Sequence, residues 1–138
     1  DAPTTWLKAD PARTAKARQR LMFIAGKIAD LEVNIRKRAT ASDLSGQYGQ
    51  AASARVAAAL EILGLVQEVA PTDDVAAVIK IGAAVQGSED QATLTAAADA
   101  IVKWGAHFVA THKTGEKIAA LDDILPDLFQ PQGTPYQP

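Results

Sequence analysis

Apolar residues recur at alternating spacings of three and four from Ala17 through Leu21, Ile24, Ile28, Leu31 and Ile35, which sets them along one face of a helix. This stripe predicts a long first helix over residues 12–38. Asp10 and Pro11 suit its start, because an Asp side chain accepts from an orphan backbone N–H and proline at the first helical position gives up a donor that had no partner. With Leu21 at an a position, Arg13, Arg20 and Lys27 all fall at g, where they flank the seam and face acidic groups of a neighbouring helix. Only two heptads are regular, so the pattern implies packing within a bundle and not a free coiled coil.

Four further segments carry a helical period. Ala52, Val56, Ala59, Leu63, Val66 and Ala70 form one stripe of a second helix over residues 43–69, widened by Leu60, Ile62, Leu65 and Val69. A helix apolar over so much of its circumference needs more than one neighbour. Pro71 ends it, and Thr72 with Asp73 and Asp74 has the form of a cap and acidic first turn for a short third helix, 73–85, with Val75, Val78, Ile79, Gly82 and Val85 inward. Ser88 followed by Gln91 reads as a capping box opening a fourth helix, 89–111, with Leu94, Ala98, Ile101, Gly105 and Phe108 inward. Gly105 suggests a close helix crossing. Gly115 and Pro126 bracket a short fifth helix, 116–125.

The expected fold class is therefore all-α: an up-and-down four-helix bundle with a short fifth helix, one domain over 11–129, and extended arms at 1–10 and 130–138. Both arms are punctuated by proline yet carry Trp6, Leu7 and Tyr136, side chains that gain stability only by docking on a surface. At 138 residues such a domain buries roughly two-thirds of its unfolded surface, so it needs no staples. Few aromatics and many alanines imply a core of Ala, Leu, Ile and Val with close helix approach.

Charge changes the picture. The net charge of −2 conceals nine Lys/Arg against four acids in residues 1–38, and five against twelve in the remainder. The split fits mutual attraction within the fold or a protein partner; the alternative is a phosphate-binding surface built on helix 1 from Lys16, Arg18, Arg20, Lys27 and the run Arg36, Lys37, Arg38. That run also ends helix 1, where cations complement the helix dipole without any ligand.

Candidate chemistry is sparse. The absence of cysteine excludes disulfides, thiolate zinc sites and cysteine nucleophiles. His107 and His112 stand five apart, against the three or four that puts two ligands on one face, so a metal is not expected; the reading is a solvated His107 beside Lys103, and His112 at a helix C-terminus. Met22 with these histidines is the pair from which a b-type haem could hang in a bundle, a second alternative. Asp122, Asp123 and Asp127 lack a partner for acid–base work. Gly46-Gln47-Tyr48-Gly49 is not a phosphate loop, since no Lys-Ser/Thr follows. Glu61 interrupts the most apolar run, 56–66, and no membrane span is expected. The start Asp-Ala-Pro-Thr-Thr, without methionine, suits a processed or exported chain as well as a trimmed one. Together these features lead to the expectation of a non-enzymatic structural or protein-interaction subunit, cofactor-free, acting in a homo-oligomer or a larger periplasmic or virion assembly. Its partner-binding residues would be Trp6, Leu7, Arg13, Arg20, Lys27, Arg36, Lys37, Arg38 and Tyr136.

Overall fold

The computed structural model describes residues 11–112, with side chains from Ala15 onward, together with Ile118. Apart from Ile118, the expected fifth helix lies outside the described residues, as do Asp10 and both arms with Trp6, Leu7 and Tyr136. Four helices follow one another: α1 (Pro11–Thr40), α2 (Gln47–Val69), α3 (Asp73–Ala84) and α4 (Gln91–Thr111). No strand occurs among the described residues.

The stripes read from the sequence are the inner faces. Ile24, Leu31 and Ile35 of α1, Val56, Leu63 and Val66 of α2, Val75 and Val78 of α3, and Leu94, Ala98, Ile101 and Phe108 of α4 are fully buried, and Ile118 joins them. They form one contiguous core. α1 packs against α2 and α4, and α3 closes the ring by packing against both α2 and α4. Connections of six, three and six residues bring consecutive helices back antiparallel. The closing α1–α4 pair is antiparallel too: Ile28 lies against Gly105 near one end, and Arg36 reaches Asp99 at 2.9 Å near the other. Gly105 is the close crossing that the sequence suggests, since a Cβ there would stand 3.1 Å from Ile28 Cγ2.

The helix starts show which local signals prevail. Thr72 caps α3 as expected, its hydroxyl accepting from the Val75 N–H at 3.1 Å. α2 begins at Gln47, not at residue 43, because Asp43 spends its carboxylate on a turn. Its Oδ1 accepts from the Ser45 N–H at 3.0 Å and the Ser45 hydroxyl at 2.6 Å, which bends the chain before the helix can start. The Ser45 hydroxyl, then its N–H, hold the Asp43 carboxyl below its ordinary pKa. α4 is capped by Asp90 and not by Ser88: Asp90 Oδ2 accepts from the Thr93 N–H at 2.9 Å and from its hydroxyl at 2.6 Å. Ser88 Oγ instead accepts from the Asp90 N–H, and the box expected over 88–91 gives way to the stronger carboxylate cap.

α2 carries the apolar excess seen in the sequence. Over its most apolar 18-residue window the mean hydropathy is 1.2, and the 23-residue helix is long and apolar enough to cross a membrane by length and composition, a property the interruption at Glu61 does not remove. The bundle accounts for that composition: one face lines the core, while Ala51, Ala54, Ala58 and Leu65 lie exposed on the other.

Candidate functional site

The cations of α1 divide by orientation. Arg38 is turned inward and buried, its Nη1 donating to the Val85 carbonyl at 3.1 Å and its Nη2 to the Ser88 carbonyl at 2.6 Å. It thus ties the end of α1 to the C-terminal end of α3, where carbonyls lack helical partners. Arg20 is buried as well. Arg36 is held by Glu32 one turn earlier and by Asp99 of α4; the Glu32 hydrogen bond first, then that to Asp99, raises the guanidinium above its ordinary pKa. Arg13 lies on α1, its side chain outside the described residues. Lys27 pairs with Asp30 at 3.6 Å and leans over the Phe23 ring at 5.8 Å. Lys37 alone of the run Arg36–Arg38 has neither an ion pair nor a side-chain hydrogen bond among the described residues.

Lys27 and Lys37 open onto one groove between α1 and α2, with a volume of about 410 Å³. Val33, Ala58, Ala59 and Ile62 give it an apolar floor, and Asp30, Asn34 and Arg55 complete its lining. Because α1 and α2 run antiparallel, Lys37 and Arg55 stand together at one end while Lys27, Asp30 and Ile62 stand at the other. Arg55 is exposed and, like Lys37, without an ion pair among the described residues. The groove therefore offers a free double positive charge beside an apolar surface.

Asn34 is the oddity of this site. It is buried, and its Nδ2 donates to the Asp30 carbonyl at 2.8 Å, which orients the amide. That leaves Oδ1 buried without a hydrogen-bond partner among the described residues. An acceptor so placed destabilises the protein by roughly 1–3 kcal/mol.

A second polar cluster joins α3 to α4. The buried Asp74 carboxylate meets both histidines: Oδ1 is 2.5 Å from His107 Nδ1, and Oδ2 is 3.5 Å from His112 Nε2. His107 is exposed, as the sequence suggests, but it is hydrogen-bonded and not merely solvated. His112 caps α4, as the sequence suggests, and lies buried with its ring 4.9 Å from that of Phe108. Each imidazole uses a nitrogen on a separate oxygen, and among the described residues no three His, Asp or Glu side chains are arranged to hold a metal. Thr111 Oγ1 lies 3.5 Å from the same His107 Nδ1 that Asp74 occupies, so the trio does not relay a proton from a hydroxyl through the ring. Met22, the partner considered for a haem, is 64 % exposed on the outside of α1, while both imidazoles are turned onto Asp74. This cluster acts as a clasp between helices.

Sequence reasoning missed three residues: Arg55, Asn34 and Asp74. Arg55 had a signal, being the sole charge in the alanine-rich run 51–60. Asn34 had a weaker one, a polar residue next to the core position Ile35. Asp74 had none, since its partners stand 33 and 38 residues away. No protein-family model, no curated protein and no solved structure matches the chain.

Proposed function

We propose that the protein is a non-enzymatic structural or interaction subunit that receives a protein partner on its α1–α2 face, within a homo-oligomer or a larger assembly. The observation that carries this reading is the groove with two unpaired cations, Lys37 and Arg55, beside an apolar floor. Apolar area supplies affinity, and charges at the rim supply orientation and partner choice. The alanines on the outer face of α2 add to it, because small side chains let another helix approach closely. The alternative, nucleic-acid binding along α1, is less well supported. Arg38 and Arg20 point inward and Arg36 is held by two carboxylates, so the basic row is not a continuous phosphate-tracking surface.

Site-specific photo-crosslinking in the cells that make the protein tests this. A photoreactive residue in place of Ala58, in the groove, is expected to give a discrete protein adduct, whereas one in place of the exposed Ala83 of α3 is expected to give none. Absence of an adduct at Ala58, or the same adducts at both positions, would overturn the reading. A mobility shift on arbitrary DNA at low salt that collapses as salt rises would favour the nucleic-acid alternative instead.

A further inference from the structure

We infer that the occupant of the α1–α2 groove is an acidic amphipathic helix of a partner protein, which places carboxylates on Lys37 and Arg55. This rests on the interaction reading above and specifies its partner. Two observations converge on that chemistry. The groove follows α1 from Lys27 to Lys37, ten residues or about 15 Å, which matches roughly three turns of a third helix laid against two. Its charge is polarised: Lys27 is already neutralised by Asp30, while Lys37 and Arg55 at the opposite end are not. A matching helix is therefore acidic in one terminal turn and apolar along the stripe that meets Val33, Ala58 and Ile62.

The test uses the full chain and a labelled peptide of roughly sixteen residues, long enough for three to four turns. The peptide is stapled as a helix, with two glutamates in one terminal turn and a leucine stripe; two versions carry the glutamates at opposite ends. Fluorescence anisotropy at low salt is expected to show binding of one version, weakened roughly tenfold or more by the Lys37→Glu, Arg55→Glu double variant, as two reversed rim pairs imply. A peptide with lysines in place of the glutamates should bind that double variant better than it binds the wild type. Neither Lys37 nor Arg55 makes an ion pair among the described residues, and circular dichroism checks that the variants remain folded. No binding by either acidic version, binding indifferent to the charge reversal, or uptake of dodecanoate without the peptide would overturn the inference. If Ala58 crosslinks to a protein while both acidic peptides fail, the interaction reading stands and the acidic helix falls.

Discussion

Arg38→Met separates an internal brace from a surface cation. Methionine keeps most of the apolar stem but removes the guanidinium that bonds the Val85 and Ser88 carbonyls. The two acceptors do not lose equally. Val85 O also accepts the Ser88 N–H at 3.0 Å and keeps that bond, whereas Ser88 O loses its 2.6 Å bond from Arg38. A hydrogen bond from a charged donor contributes about 1.5–3 kcal/mol. Against the loss stands a gain, because Arg38 Nε is buried without a partner among the described residues and that strain disappears with it. The net expectation is a loss of about 2 kcal/mol, and at roughly 4 °C per kcal/mol for a chain of this size a fall in Tm of about 8 °C. Arg38→Lys should recover only part of it, since one ammonium does not reproduce the planar fork across two carbonyls. Urea denaturation followed by helical circular dichroism reads both variants, with an unchanged m-value as the sign that stability alone has moved. Arg38→Met within about 0.5 kcal/mol of wild type, or Arg38→Lys equal to it, would refute the reasoning.

Gly49→Ala should cost at least about 2 kcal/mol, because its Cβ would lie 2.5 Å from Leu44 Cα and the backbone has to move; Gly64→Ala, with nothing within 4 Å of the new methyl, should gain about 0.5–1 kcal/mol. Differential scanning calorimetry compares the two, and equal effects would show that close approach is not what separates them. Asp74→Ala should destabilise by about 2–3 kcal/mol by stranding the buried His112, while leaving binding in the groove unchanged; a loss of binding would mean that the clasp and the groove are coupled. The Thr93 hydroxyl, then its N–H, hold the Asp90 carboxyl below its ordinary pKa. A depressed folded-state pKa contributes stability above the unfolded value, near 3.9, that is lost as pH falls through the folded value. Melts of wild type and Asp90→Ser across that window should therefore converge on acidification, and a constant gap would contradict the carboxylate cap.

Much of the bundle was legible because a helical stripe is a local, repeated signal. Ile24, Leu31 and Ile35 could be placed inside before any neighbour was known, and the same holds for Val56, Leu63 and Val66. Helix starts were legible where one residue held the capping chemistry, as at Thr72, and ambiguous where two competed, as at Ser88 and Asp90. The site was harder to read. Lys27 and Lys37 were visible as cations, but which way a charge turns depends on partners distant in sequence. Arg38 looked like a cation placed for a helix dipole and is in fact spent on carbonyls 47 and 50 residues away. Arg55 and Asn34 matter only because antiparallel packing sets α2 beside α1. Burial without a partner, as at Asn34 Oδ1 and Arg38 Nε, has no counterpart in sequence pattern at all.

The central claim is that the α1–α2 face, and not another surface, receives the partner. Two-dimensional amide NMR of the labelled full chain, titrated with the acidic helical peptide, tests it most directly. The expected result is shift changes clustered between Lys27 and Lys37 of α1 and between Arg55 and Leu65 of α2, and little change around Asp74, His107 and His112. Shifts centred on the α3–α4 clasp, or spread without focus over all four helices, would contradict the claim.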